Sequence, residues 1–457
     1  MNRPNILFVF SDQQRWDTVD AYGSPIFPGL TPHLDSLAAD GVRFENAFTC
    51  QPVCGPARAA LQTGLYPTQL GCFTNARGLP TGQRTIAHDL RDAGYTAGYI
   101  GKWHLAQETP DAKSYAFAPI PEPRRGGYQY WLAADVLEFS SHGYEGVLWD
   151  TDNRRVDFEG YRADALTDFA LDYLDRYAGG ARSEPFFLFL SYIEPHHQND
   201  LNRFVGPLGS KRRFADFRVP GDLKSNGGDW REQLPDYLGC CSSLDRNLGR
   251  LRARLQANGL AENTLVVYAS DHGCHFRTRN NEYKRACHDG CIRIPLIAAG
   301  PGFRGGTVVK DLVSLIDLPP TVLTAAGIAP PPAMRGKALQ PLLAGDSAGW
   351  PAEVFLQLSE AQVGRAIRTA KWKYSVAAPD KVGWRDAGSD RYVEDCLYDL
   401  AQDPYEQDNR VTDPACTGIR AQLARTLQQR MLQAGEEAPL ICPPGHAAAG
   451  IRLSPAE

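Results

Sequence analysis

Unbroken apolar runs, rather than alternating ones, mark the strand candidates of this chain. Residues 6–10, 96–100, 186–190, 265–269 and 296–299 are dominated by Ile, Leu, Val, Phe, Tyr and Ala, with no regular polar side. A strand covered on both faces has that signature, so all five are predicted as buried parallel strands. Helical signals fall between them. Thr31-Pro32-His33-Leu34-Asp35 opens a helix with a cap and a proline, and Gly41 closes it. Thr85 to Ala93 is another, ended by Gly94. The alternation predicts an α/β fold with a large, mostly parallel sheet sandwiched by helices.

Polar residues gather where these runs end. Residues 6–10 lead into Asp12 and Gln13, 96–100 into Lys102 and His104, 186–190 into Glu194, His196 and His197, and 265–269 into Asp271 and His272. Open α/β sheets collect ligands beyond the carboxyl ends of their strands. One polar strand end means little, because loops are polar. Four of them point to one shared site.

Residues 319–351 are rich in proline, glycine and alanine and mark the passage to a second unit. Beyond them, 354–358, 366–369 and 372–376 read as strands, and 416–434 as a final helix. The expected division is a catalytic α/β domain at 1–353 and a small antiparallel sheet with one helix at 354–457, ending in a Pro/Ala-rich tail after Cys442.

At 457 residues the chain has room for both units, and its net charge of −5 lacks the basic footprint of a nucleic-acid binder. No apolar run approaches bilayer length, and 6–10 is too short for a signal-peptide core. No nucleic-acid or membrane partner is expected. A chain that starts at Met1 is expected in the cytoplasm, a setting that suits eleven cysteines without regular spacing.

Cys54-Gly55-Pro56-Ala57-Arg58, followed by Ala59-Ala60-Leu61-Gln62-Thr63-Gly64, places a thiol and a positive charge at a helix start. Unpaired N–H groups there favour an anion, and a cysteine beside an arginine is expected to be an activated thiol. Asp12 and Asp271, each preceded by serine, offer hard oxygen ligands for a divalent metal, with Gln13 and His272 beside them. Singly, these aspartates read as strand-end caps and Lys102 or Lys284 as surface charges. Their order and placement join them. Cys274, His275, Cys287, His288 and Cys291 raise the question of zinc, but no paired C-x-x-C knuckle is present and Lys284 and Arg285 add positive charge. Tyr128, Tyr130, Trp131, Trp149 and Trp230 are candidate sugar platforms, although such residues more often fill cores.

The Cys54, Pro56 and Arg58 pattern with Thr63-Gly64 resembles the signature of the type I, formylglycine-dependent sulfatases of the alkaline phosphatase superfamily. Ser11-Asp12-Gln13 and Ser270-Asp271-His272-Gly273 resemble its two metal motifs, and Gly101-Lys102-Trp103-His104-Leu105 its G-K-W-H motif. Pro195-His196 resembles its P-H motif, with His197 an adjacent competitor, and Lys284 stands where the family has a sulfate-binding lysine. The likeness runs from Pro4-Asn5-Ile6 to Asp403-Pro404. Gln13 with His272, where many members carry aspartate and asparagine, resembles the branch of choline sulfatases and phosphonate monoester hydrolases.

The resemblance implies an alkaline-phosphatase-like fold and conversion of Cys54 to formylglycine by a formylglycine-generating enzyme or its equivalent. It implies catalytic roles for Cys54, Arg58, Lys102, His104, His196 and Lys284. It also implies a divalent metal held by Asp12, Gln13, Cys54, Asp271 and His272, with calcium expected and magnesium or manganese as alternatives. The implied reaction is hydrolysis of a small sulfated substrate, a carbohydrate or an aryl or alkyl sulfate. A phosphonate monoester or phosphodiester hydrolase is the alternative, and a catalytically inactive sulfated-sugar binding protein a second.

Overall fold

The structure, a computed structural model, describes residues 3–23, 25–180, 184–224 and 227–444. Ten strands build the main sheet: β1 (Asn5–Ser11), β2 (Val42–Phe48), β3 (Thr96–Lys102), β4 (Tyr130–Ala134), β5 (Glu145–Asp150), β6 (Arg155–Glu159), β7 (Phe186–Ser191), β8 (Thr264–Ser270), β9 (Leu296–Ala299) and β10 (Thr307–Ser314). Their order is β10-β2-β9-β8-β1-β7-β3-β4-β5-β6. The central five, β8, β1, β7, β3 and β4, are parallel. At one side β5 and β6 pair antiparallel.

The run at 296–299 is buried as expected but is not parallel: β9 opposes both β2 and β8. Unbroken apolarity reports burial, whereas direction is set by the connection. A parallel return needs a crossover, usually a full helix. The 271–295 connection holds only the one-turn helix Asp289–Ile292.

The main helices are α1 (Pro32–Asp40), α2 (Cys54–Thr63), α3 (Ile86–Asp92), α4 (Arg162–Gly179), α5 (Trp230–Ala257), α6 (Leu318–Ala325) and α7 (Thr417–Gln433). Successive strand residues feed opposite layers. Ile6, Phe8, Phe10, Phe187 and Phe189 join a core with residues of α2, α3 and α6. Leu7, Val9, Leu188 and Leu190 join another with residues of α1, α4 and α5. This double burial is why these strands carry no polar face. Strands β6 and β10, by contrast, include exposed residues and gave no unbroken run. Tyr128, Trp131, Trp149 and Trp230 are buried and Tyr130 packs against Tyr173, so these five fill the interior instead of forming sugar platforms.

A second sheet follows, with β11 (Glu353–Leu358), β12 (Gly364–Thr369), β13 (Trp372–Ala377), β14 (Arg391–Asp399) and β15 (Leu440–Cys442) in chain order. It is antiparallel except at β14–β15, which pair in parallel. Leu423, Leu427 and Met431 of α7 share its core with Cys50, Ala60 and Tyr66 from the first unit. Residues 319–351 do not act as a free linker, because Val322, Leu323, Leu339 and Leu342 belong to the main core. An ionic knot also ties the units: Asp289 meets Lys373 and Arg368, and Lys373 meets Glu406 at 2.6 Å. Of the expected tail, residues 445–457 lie outside the described residues. Among the described residues no helix is long and apolar enough to cross a membrane.

Helix α1 begins and ends where its sequence signals place it, but its cap comes from elsewhere. The Thr31 hydroxyl accepts the N–H of Asp20, and the first N–H groups of α1 are met by Asp245 of α5, which accepts from Leu34 at 2.7 Å and His33 at 3.2 Å. Replacing a capping carboxylate removes these bonds and costs about 1–2 kcal/mol. Asp245→Ala is expected to lower the urea midpoint accordingly while leaving native-buffer activity unchanged. An unaltered midpoint would show that the cap contributes nothing.

Candidate active site

Register brings the polar strand ends together. Phe10 of β1 lies level with Ser191 of β7 and Ala269 of β8, and Gly101 of β3 is also level with Ser191. Gly101 has φ 105°, and a Cβ there would stand 2.0 Å from the Ser191 carbonyl oxygen. Only glycine allows this close approach, which sets Lys102 at the carboxyl edge. Helix α2 opens at Cys54 over the same edge, its Gly55 N–H donating to Asn75 Oδ1 at 2.9 Å.

Cys54 Sγ lies 3.3 Å from Asp12 Oδ1, 3.2 Å from His272 Nε2 and 2.8 Å from Lys284 Nζ. Lys102 Nζ reaches Asp12 Oδ2 at 2.9 Å and Glu138 Oε1 at 3.1 Å. Arg58 donates to Asp12 Oδ2 at 2.9 Å, to the Lys102 carbonyl at 2.9 Å and to Ser191 Oγ at 2.7 Å. All ten catalytic and metal candidates of the sequence, from Asp12 to Lys284, are buried.

The two histidines of 196–197 separate by orientation. His196 Nδ1 donates to the His197 carbonyl at 2.6 Å, so its Nε2 carries a lone pair and accepts from Lys284 Nζ at 3.1 Å. His197 instead packs its ring on Tyr283, with centroids 4.4 Å apart. His104, at φ 60°, is buried with Nδ1 unbonded among the described residues.

Burial and charge set the protonation states. Burial opposes ionisation of Asp12, yet the charges of Lys102, Arg58 and Lys284 outweigh it and hold its carboxyl well below the usual range. Asp271 shifts the other way, to about 7, through burial and the nearby Asp12 charge. Burial and Lys284 keep His272 neutral down to about 3. Cys54 departs from expectation: burial and the Asp12 charge push its thiol up to about 12, against the cations Lys284 and Lys102. The thiol is therefore not an activated one.

Asp12, Cys54, Asp271 and His272 each offer a donor atom within 4.8 Å of the others. His272 Nδ1 donates to the Gly273 carbonyl at 2.9 Å, which turns the Nε2 lone pair toward the cluster. Among the described residues Asp271 Oδ2 accepts no hydrogen bond, Arg58 Nε standing 3.7 Å away. A neutral imidazole and an under-used carboxylate beside a second carboxylate fit a divalent cation. Gln13 adjoins the cluster: its backbone N–H donates to Asp271 Oδ1 at 2.9 Å, and its amide nitrogen approaches Cys274 Sγ at 3.4 Å.

A family model described as sulfatase matches residues 4–328, and one described as N-sulphoglucosamine sulphohydrolase, C-terminal, matches 281–433. The chain belongs to the sulfatase family. It is 29% identical over 456 residues to an ulvan-active sulfatase of Formosa agariphila, covering 95% of this chain and 82% of that one. It is 28% identical to human arylsulfatase A over 502 residues, covering 98% and 91%. The fold matches a protein solved with its substrate D-glucosamine-2-N,6-O-disulfate (TM-score 0.76, 22% identity, 95% and 98% covered). It also matches a phosphonate monoester hydrolase from Silicibacter pomeroyi (TM-score 0.70, 24% identity, 94% and 96% covered).

The sulfatase cluster opens into a polar cavity of about 260 Å³ bordered by Gln13, Asn75, Glu138, His196, His197, Tyr283, Lys284 and Arg285. A larger depression of about 520 Å³, between Leu37, Arg252 and Glu262, holds none of these residues. Sequence reasoning missed Glu138 and Asn75. Glu138 follows β4, whose end sits beside that of β3, with Lys102 level with Ala134. Recognising 130–134 as a strand would have exposed Glu138 by the rule that found the others.

In chain produced with an unmodified cysteine, Cys54 is expected to alkylate about 10³-fold more slowly than a free thiol near pH 8, because the thiolate is scarce. The rate should still climb above about pH 10. Timed iodoacetamide pulses read by peptide mass spectrometry measure it, and alkylation at the free-thiol rate would contradict the raised value.

Proposed function

We propose that this sulfatase hydrolyses a sulfate ester of a small carbohydrate after Cys54 has been converted to formylglycine. The observation that carries the reading is the placement of Cys54 Sγ among Asp12, His272 and Lys284, the last of which also borders the polar cavity. A site of this polarity suits a sugar better than an aryl or alkyl group, and one structural neighbour was solved with D-glucosamine-2-N,6-O-disulfate as its substrate. Calcium is the proposed metal, since Asp12 and Asp271 are hard donors, with magnesium or manganese as alternatives.

When present, the cation neutralises charge on the sulfate and on the modified side chain. One hydroxyl of the hydrated aldehyde attacks sulfur, its proton passing to Asp271, as the ester S–O bond breaks. Loss of the proton from the second hydroxyl then re-forms the aldehyde and breaks the carbon–oxygen bond to sulfate. The chain's own residues do the rest. Arg58 and Lys102 hold Asp12 ionised and fixed, and Lys102 is itself held by Glu138. Lys284 presents a proton toward the cavity, and His196, accepting from it through Nε2, orients it. Lys284 is the proposed acid for the departing oxygen and His104 the proposed base for the second hydroxyl. Burial, Lys102 and Arg58 keep His104 neutral, as a base must be.

Residues 354–457 are proposed as a subdomain that shares its core with the first unit. A formylglycine-generating enzyme or its equivalent is the proposed maturation partner.

Co-expression with a formylglycine-generating enzyme should convert the peptide containing position 54 to its aldehyde by mass and raise sulfate release. Cys54→Ala should lower kcat/KM by about 10³-fold or more with the fold retained. Near wild-type turnover by Cys54→Ala would refute the nucleophile. Parallel assays on a sulfated monosaccharide and a phosphonate monoester decide the alternative, and higher efficiency on the phosphonate would favour it.

A further inference from the structure

The connection that supplies Lys284 and Arg285 carries a second set of donors on its far side. Cys287, His288 and Cys396 are buried, and one donor atom of each lies within 4.8 Å of the others. Cys287 and His288 directly precede the one-turn helix Asp289–Ile292, whereas Cys396 comes from β14 in the second sheet. Cysteine spacing within 274–291 therefore hides the set, because its third member lies in another unit. Other members of that stretch are engaged elsewhere. Cys274 Sγ meets the Gln13 amide, and His275 Nε2 donates to the Lys284 carbonyl at 2.9 Å.

Strand geometry explains how Cys396 comes to face this way. Ser375 pairs with Cys396 and Val376 with Glu394, which leaves Asp395 as an extra residue in β14. Such a bulge breaks the strict alternation of side chains and re-aims them. Asp395 and Cys396 accordingly line the same cavity as Cys287 and His288, one of about 30 Å³. That is room for about one water. The His288 ring is fixed by Tyr398, whose hydroxyl lies 3.1 Å from Nε2. Its Nδ1 is buried and has no hydrogen-bond partner among the described residues, and the side chain is only 5% exposed. A buried nitrogen left without a partner is costly unless something else meets it.

We propose that Cys287, His288 and Cys396 bind a structural Zn²⁺, with the cavity water or Asp395 as the fourth ligand. Two thiolates and a neutral imidazole balance the dication and match zinc's preferred donors, whereas Ca²⁺ and Mg²⁺ favour all-oxygen shells. Tyr398 acts as the outer partner that orients the ligand ring. The ion staples the 284–289 connection to β14. Arg285 borders both this cavity and the one lined by His196 and Lys284, so the staple braces a wall of the active site without belonging to it.

The test uses the full chain as Cys54→Ala, which removes the active-site thiol, stripped of metal and titrated with Co²⁺ and then Zn²⁺. A thiolate-to-cobalt charge-transfer band saturating at one equivalent, and zinc protection of Cys287 and Cys396 from alkylation, are the expected results. Adding Cys396→Ser should cut the band at saturation to about half or less and weaken zinc binding at least tenfold. Differential alkylation needs no further substitution, so it decides the matter even where that variant does not fold. Absence of the band, unchanged alkylation with zinc, or a Cys287–Cys396 disulfide in freshly purified protein would each overturn the proposal.

Discussion

Two carboxylates shielded from water cannot both remain charged unless cations meet them, and Asp12 with Asp271 imposes that condition on the centre of this chain. Much of the carboxyl edge is arranged to satisfy it. Arg58 reaches back from α2 to Asp12 while bonding to the Lys102 carbonyl, so one guanidinium fixes a helix, two strand ends and an acid together. Lys102 shares its charge between Asp12 and Glu138. Lys284 arrives from the long connection after β8. Among these side chains three carboxylates face three cations, a balance that a bound dication would tip toward accepting the singly charged sulfate ester. Burial makes every member indispensable, because a single deletion strands a charge in a medium that cannot solvate it.

The parts of the fold legible in sequence are those where one physical signal has one cause. Strands β1, β3, β7 and β8 were readable because helices cover both their faces, and their ends pointed to Asp12, Lys102, His196 and Asp271. Signals with several causes misled or fell silent. Apolarity could not give the direction of β9, and a threonine before Pro32 did not reveal that Asp245 caps the helix. The positive neighbours of Cys54 suggested an activated thiol, but burial and Asp12 outweigh them, and burial is a tertiary property. His196 and His197 are chemically identical in sequence and differ only in what their rings face. Glu138 stayed hidden because the strand before it is only five residues long.

The second sheet is more than an appendage in this respect. Its core contains residues of the first unit, and the first unit's ionic residue Asp289 is neutralised by Arg368 and Lys373 of the sheet. Burial would raise the Asp289 carboxyl, yet these two cations hold it well below the usual range. Neither surface would be stable in water as it stands, since each buries charges whose partners lie on the other.

Glu360, in the turn between β11 and β12, gives this dependence a direction. Its Oε1 accepts the N–H of Asn75, whose side chain in turn receives the N–H of Gly55, and its Oε2 lies 2.5 Å from Arg285 Nε. One hairpin residue thus touches both arms of the reaction centre, the one bearing residue 54 and the one bearing Lys284. Exchanging this hairpin between relatives would retune the two arms jointly, so a chimaera inherits its donor's spacing between them along with its surface.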